Sequence, residues 1–288
     1  MTNGRMQPRR DALRRLSATL ISISLMALTA PAFAAVQPGS GYGFPRDVSV
    51  DGWRIDWLIN VTSIFVVALF AVMCLWMAWM VFFHGKNHEA EYDHGSAKHS
   101  IVQALTISAV IFLVVDGNLF YNSMVDTTEA FWNFDKAEAD PGAARIEVNA
   151  RQWAWQFRYA GNDKKFNTRD DVTTLNEMPV PVDAAVILQI GAVDVLHSIY
   201  LPNVRQKIDA VPGTISKLWF QAKETGDFDI ACAQHCGTHH YKMKGMMRIL
   251  PRAEYDAWLQ DASEAAVTQF DAKDKEALWG WAWNRNGN

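Results

Sequence analysis

Cys232-Ala233-Gln234-His235-Cys236-Gly237-Thr238-His239-His240-Tyr241-Lys242-Met243 gathers thiol, imidazole and thioether groups within twelve residues. Soft sulfur beside imidazole suits copper, and thioether ligation is characteristic of copper electron-transfer sites. A mononuclear site of that kind needs one thiolate, whereas two thiolates four residues apart suit a bridged pair of copper ions. Three other readings stand beside this one. The cysteines can form a disulfide in an exported protein. The cluster can hold structural zinc, which takes Cys, His and carboxylate and leaves Met243 without a role. Or the residues are simply core.

Outward from this stretch the sequence reads as strand. Residues 144–159, 184–191, 197–201 and 215–222 are β-type runs, separated by turn clusters such as Gly161-Asn162-Asp163 and Pro212-Gly213. Short strands at this spacing predict a β-sandwich or barrel. Trp153 and Trp155 fall on one face of the first run, which by itself places both in the core. Residues 253–265 have helical spacing, and a tail with Trp279, Trp281 and Trp283 follows.

Farther upstream the chain changes character. Residues 57–83 are 27 residues without a charge, about 40 Å as a helix and long enough to cross a bilayer with tilt. Trp57, Trp76 and Trp79 suit the interfaces. A second apolar stretch, 101–124, is broken by Asp116, Gly117 and Asn118. An ionisable group inside lipid is costly, so Asp116 is expected near the far interface or against a protein neighbour. The polar residues 84–99 between the stretches suit the turn of an antiparallel hairpin. Arg5, Arg9, Arg10, Arg14 and Arg15, the apolar run 16–28 and Ala32-Phe33-Ala34 read as an export signal. Export of the mature N-terminus and two crossings put everything after about residue 124 outside.

The resulting order is a signal peptide (1–34), an exported segment (35–55), a transmembrane hairpin (56–124), an acidic linker (125–143), a β-domain (144–252) and a helical tail (253–288). A mean hydropathy of -0.07 fits an ordinary globule as well as a sum of greasy and polar parts, and the distribution along the chain gives the second. The 288 residues carry three cysteines, too few for a disulfide scaffold, and a net charge of -4, with no basic footprint for nucleic acid. Residues 35–140 carry 5 basic and 12 acidic side chains, and residues 141–288 carry 17 and 18.

A dinuclear copper site needs a second histidine, and Asp194-Val195-Leu196-His197-Ser198 lies upstream in β-type sequence. That pattern, followed by Lys207-Ile208-Asp209-Ala210-Val211-Pro212-Gly213 and by Cys-x3-Cys-Gly-x2-His-x2-Met, resembles subunit II of cytochrome c oxidase. Arg151-Gln152-Trp153-Ala154-Trp155 resembles the aromatic stretch that precedes that family's copper domain. The likeness covers roughly residues 45–255. It implies a membrane-anchored all-β architecture, a two-helix hairpin followed by a cupredoxin-like β-sandwich of Greek-key type. It further implies the dinuclear CuA centre, held by His197, Cys232, Cys236, His240, Met243 and the backbone carbonyl of Gln234. Asp194 is a candidate to orient His197, and Trp153 matches the tryptophan through which the electron from cytochrome c enters.

The function implied is electron transfer from cytochrome c to haem in a separate catalytic subunit that reduces oxygen. The place implied is the bacterial inner membrane, crossed twice, with the copper domain on the periplasmic side. Cytochrome c is usually basic, so its acceptor should present negative charge, for which Asp135, Glu138 and Asp140 of the linker are candidates. Three departures limit the likeness. Gln234 replaces the frequent glutamate that helps hold magnesium, so magnesium is not carried over. Residues 99–103, at the start of the second apolar stretch, lack the carboxylate of a proton-uptake route; Glu89, Glu91 and Asp93 lie farther back. Arg158 stands where an acid is frequent, which would alter donor docking. The alternatives are a nitrous oxide reductase type of CuA domain, against which the hairpin argues, and a membrane-tethered copper-carrying or assembly protein. Quinol-oxidase relatives lose the copper ligands retained here.

Overall fold

The structure is a computed structural model that describes residues 43–85, 92, 94, 95 and 97–274. The export signal, the acids Glu89, Glu91 and Asp93, and the tail tryptophans 279, 281 and 283 lie outside the described residues. Helix α1 (Gly52–His84) is 33 residues long, and none of its apolar window is buried within the chain. Apolar side chains exposed around the whole helix are what a lipid environment accommodates and water does not.

The second span runs from Lys98 to Glu138 over 41 residues. It comprises α2 (Lys98–Ile111), a π-turn at Phe112–Asp116, α3 (Gly117–Asp126), a second π-turn at Thr127–Phe131 and α4 (Phe134–Glu138). Asp116 ends the first π-turn and is exposed on the chain's own surface. Helical structure therefore continues well into the acidic segment after residue 124. It is interrupted at Trp132 and Asn133, where Asn133 caps α4, and no proline or glycine follows Gly117 until Pro141-Gly142. Ala137 of α4 is fully buried against Ala185, Ile187 and Trp219.

Ion pairs bring the start of α1, the end of α3 and the β-domain together. Arg54 of α1 donates to Asp126 at 2.7 Å, and Arg205 donates to both oxygens of Asp56 at 2.6 and 3.0 Å. The two spans are thus antiparallel, with the β-domain beside the end shared by the start of α1 and the end of α3.

The β-domain contains ten strands: β1 (Ala144–Arg151), β2 (Ala154–Tyr159), β3 (Val172–Leu175), β4 (Glu177–Pro181), β5 (Ala185–Ala192), β6 (His197–Leu201), β7 (Gln206–Ala210), β8 (Ser216–Gln221), β9 (Gly226–Cys232) and β10 (Lys244–Leu250). They form two five-stranded sheets, ordered β3-β2-β1-β5-β8 and β4-β10-β9-β6-β7. The β1–β5 and β4–β10 pairs are parallel and the other pairs antiparallel. The inner faces meet through Val148, Phe157, Leu188 and Ile190 of one sheet and Met178, Ile199, Ile230 and Met247 of the other, all fully buried. Strand β10 shows the alternation that one wet face produces: Lys244, Met246 and Arg248 out, Gly245, Met247 and Ile249 in. Helix α5 (Arg252–Gln269) packs on the sandwich through Trp258, Leu259 and Ala262.

Two sequence expectations change here. Trp155 is buried in the core, but Trp153 lies in the β1–β2 turn and is 36% exposed. A two-residue reversal at 152–153 takes it out of the strand alternation. Arg158 cannot shape a donor surface, because it is buried. Its guanidinium pairs with Glu147 at 2.6 Å and Asp171 at 3.2 Å and donates to Asn167 at 2.9 Å. Two acids against one base satisfy a buried cation that would otherwise be prohibitive.

Candidate metal centre

Strands β6 and β9 are neighbours, with Ile199 opposite Cys232, so His197 and Cys232 stand on adjacent strands at one end of the second sheet. From Cys232 the chain leaves β9, and the backbone N–H of Ala233 donates to Ser198 at 2.9 Å. It returns through a short 3-10 turn, His240–Lys242, to start β10. The N–H of Cys232 donates to the carbonyl of Met243 at 3.2 Å and closes the base of the loop. Twelve residues are thereby folded over their own root, which brings sequence-distant sulfur and nitrogen atoms together.

The two Sγ atoms are 3.8 Å apart, and both thiols are free. Nδ1 of His197 lies 4.0 Å from Sγ of Cys232, and Nδ1 of His240 lies 3.6 Å from Sγ of Cys236. Sδ of Met243 is 3.7 Å from Sγ of Cys236, and the carbonyl oxygen of Gln234 is 3.2 Å from Sγ of Cys232. His197, Cys236 and Met243 are buried, and Cys232 and His240 are partly so. His197, Cys232 and Cys236 alone bring donor atoms within 4.8 Å of one another, the one such cluster of His, Cys or carboxylate among the described residues. This donor set fits copper: two thiolates, two imidazoles and a buried thioether that zinc would not use. Gln234 supplies a carbonyl but no carboxylate, so the magnesium ligand frequent in the family is missing at this position.

Asp194 fixes the first imidazole. Its Oδ1 accepts from Nε2 of His197 at 2.9 Å and from the N–H of Val195 at 2.6 Å, while Oδ2 accepts from the N–H of Gln152 at 2.7 Å. A carboxylate on Nε2 keeps the proton there and leaves the Nδ1 lone pair facing the sulfur. Burial pushes the Asp194 carboxyl up, but these three donors outweigh it and hold it below the usual carboxylate range. Burial likewise acts to lower His197, yet its contacts with Cys232 and Asp194 raise it overall.

The two thiols are driven apart. Burial acts to raise Cys232, but hydrogen bonding to His197 and to backbone groups of Ser198 and Gln234 overrides it and brings the thiol down to about 6. Cys236 is pushed up to about 12 by burial and then by the charge of Cys232. Without metal the pair therefore holds one negative charge. A cation that binds both sulfurs must displace the second proton.

Two supporting residues, Gln152 and Gly237, stand inside the quoted motifs, but nothing in those motifs announces their role. Gln152 donates from Nε2 to the carbonyl of Cys236 at 2.7 Å, and its backbone N–H meets Asp194, so one residue braces both halves of the cluster. Gly237, with φ of 119°, sits against it: a Cβ there would lie 2.8 Å from Nε2 of Gln152 and 3.4 Å from the Trp153 ring. The Trp153 ring centroid is 4.5 Å from that of His239, so the exposed indole stands directly beside the ligand loop. His235 and His239 have their rings beside His240 and Trp153 respectively, and both are exposed. Cys74 lies on α1, away from the site.

Residues 145–249 match the family model "Cytochrome C oxidase subunit II, periplasmic domain". Over 231 residues the chain is 30% identical to the alternative cytochrome c oxidase subunit 2 of Bradyrhizobium diazoefficiens, covering 72% of this chain and 79% of that one. Over 259 residues it is 27% identical to the cytochrome c oxidase subunit 2 of Cereibacter sphaeroides, covering 78% and 81%. Among solved structures, the periplasmic domain of subunit II of cytochrome oxidase of Bradyrhizobium japonicum aligns with a TM-score of 0.38 at 28% identity. That alignment covers 42% of this chain and 94% of that one.

Proposed function

The chain belongs to the cytochrome c oxidase subunit 2 family, and on that premise we propose that it is the electron-entry subunit of a haem-copper oxidase, taking electrons from cytochrome c at a dinuclear copper centre and passing them to haem in the catalytic subunit. His197, Cys232, Cys236, His240, Met243 and the carbonyl of Gln234 would hold the metal pair, with Asp194 orienting His197. The observation that carries this reading is the convergence of two free thiols 3.8 Å apart with two imidazoles and a buried thioether. Bound there, copper would supply a one-electron redox group.

The protein's part is to hold donors in place and to admit a partner. Strands β6 and β9 fix one histidine and one cysteine, and the folded loop fixes the rest, so the donor positions need change little as the charge changes. Trp153, exposed at the surface and flanking the ligand loop, offers the entry point. The burial of His197, Cys236 and Met243 argues against a copper-carrying protein, which needs an accessible, exchangeable site. Two apolar spans anchor the domain, and the placement that follows is the periplasmic face of a bacterial inner membrane. The test is turnover of reduced cytochrome c by the assembled complex carrying Cys232→Ser or Trp153→Ala. Both should abolish or strongly depress turnover, but only the first should remove copper. Full turnover with Cys232→Ser contradicts the reading.

A further inference from the structure

The donors that fit copper lie inside the protein, so an ion must be received at the surface before it reaches them. His197, Cys236 and Met243 are buried, and of the donor side chains Cys232 and His240 alone reach the surface in part. Asp194 occupies Nε2 of His197 at 2.9 Å, which closes that imidazole to an arriving ion. The way in therefore passes His240 and Cys232.

The ligand loop places a further imidazole on this open side. Between the two cysteines, the carbonyl of Gln234 turns toward Sγ of Cys232 at 3.2 Å, and the two Sγ atoms face each other at 3.8 Å. Ala233 and His235, which alternate with these inward groups, are exposed. The ring centroid of His235 lies 5.5 Å from that of His240, with the planes 68° apart. The His235 side chain has no hydrogen-bond or ion-pair partner among the described residues.

This spacing suits one ion between two rings. A metal about 2.0 Å from a nitrogen of each imidazole puts the ring centroids about 6 Å apart when all are in line. Monovalent copper accepts two donors in a line, so two imidazoles suffice to hold it, whereas structural zinc takes four ligands. Soft thiolate and thioether sulfur hold monovalent copper more tightly than imidazole does, so an ion received there descends in free energy as it moves inward. His239, the other exposed imidazole beside His240 in sequence, has its ring 4.5 Å from that of Trp153.

We propose that His235 and His240 form an outer receiving site for monovalent copper, from which the ion is handed to the buried donors by ligand exchange. This role rests on the copper reading above. In the exchange the bond to His235 breaks, a bond to Sγ of Cys236 forms, and the thiol proton passes to water. The ion enters and stays monovalent, so no electron is exchanged. His235 is then free to receive a second ion, which a dinuclear centre requires, and it takes no part in the finished centre.

The experiment mixes the purified full chain, metal-free and reduced, with monovalent copper held by a coloured chelator under exclusion of oxygen. Loss of the chelate colour reports the rate of uptake. His235→Leu should load about tenfold more slowly than the native chain or slower still, yet reach the same copper content and, after oxidation, the same copper spectrum. His235→Met should return the rate to within about threefold of native, because its thioether binds monovalent copper where the similarly sized leucine does not. His239→Ala should load at the native rate. Native-rate loading of His235→Leu overturns the proposal, as does a methionine variant as slow as the leucine one, or equal slowing in His239→Ala. An altered final spectrum in His235→Leu places His235 in the buried centre and also overturns it. If the native chain takes up fewer than two ions, the dinuclear copper reading itself falls, a result distinct from all of these.

Discussion

Replacing Asp194 with asparagine removes one acceptor from a carboxylate that serves three donors. Oδ1 now takes the Nε2 proton of His197 and the N–H of Val195, and Oδ2 takes the N–H of Gln152. An amide keeps one oxygen for them, and its NH2 must face another donor. If the oxygen turns to His197, the Gln152 N–H loses its partner and gains a repulsive one. If it turns to Gln152, the buried imidazole loses its orienting group. A hydrogen bond to a charged acceptor contributes about 1.5–3 kcal/mol, so the metal-free protein should lose stability of that order. Metal affinity should fall about 10–100-fold, the usual cost of removing a carboxylate behind a ligating imidazole.

The pH profile carries the sign. In the native protein the pKa of His197 is raised, so its proton competes with metal at low pH and yields as pH passes the raised value. In the variant that pKa drops, so competition begins at lower pH and the loss of affinity narrows on acidification. By linkage, the raised pKa stabilises the metal-free fold at low pH, and this contribution disappears as pH rises through it. Copper affinity measured by chelator competition on the purified full chain, from acid to neutral pH, checks both statements. An affinity within about twofold of native at neutral pH, with an unshifted acid limb, refutes the assignment of Asp194 as the orienting group.

Other consequences are equally direct. In metal-free protein, alkylation should modify Cys232 readily at neutral pH, with a rate that climbs through about pH 6, while Cys236, pushed up to about 12, stays unmodified; mass mapping of equal labelling at both would contradict the split. Gly237→Ala places a methyl 2.8 Å from Nε2 of Gln152 at a φ of 119°. It should cost about 1–3 kcal/mol and alter the copper spectrum through the Gln152–Cys236 bond. Arg158→Ala leaves Glu147 and Asp171 buried without their cation and should destabilise the domain by about 3–5 kcal/mol, read as a lower melting temperature with the copper spectrum unchanged below it. Asp56→Ala removes the two-pronged pair with Arg205, which holds a left-handed φ of 65°. Hydrogen exchange at residues 202–206 should accelerate in that variant, and unchanged protection there would show that the pair does not hold the turn.

The sequence displays the site more fully than the fold around it. Cys232, Cys236, His240 and Met243 are contiguous enough for their chemistry to be read from donor types, and apolar length alone announces both spans. Strands such as β3, β4 and β9 are harder to see: Val172–Leu175 is short, Glu177–Pro181 contains two prolines, and Gly226–Cys232 is half-exposed. Their strand character comes from pairing partners far along the chain. The bracing role of Gln152 is hidden for a related reason, since it depends on a carbonyl 84 residues away. Trp153 and Trp155 show the limit of period-two reasoning, because the turn at 152–153 separates residues that alternation would put together. Arg158 reads as a surface charge until Glu147 and Asp171 are brought to it from two other segments.

Whether two thiolates share a pair of copper ions is read out by copper stoichiometry with electron paramagnetic resonance on the purified full chain. Two coppers per chain should be found, with a hyperfine pattern from one unpaired electron divided equally between two nuclei, lost in Cys232→Ser. A single copper with its own hyperfine pattern, or zinc in place of copper, would contradict it.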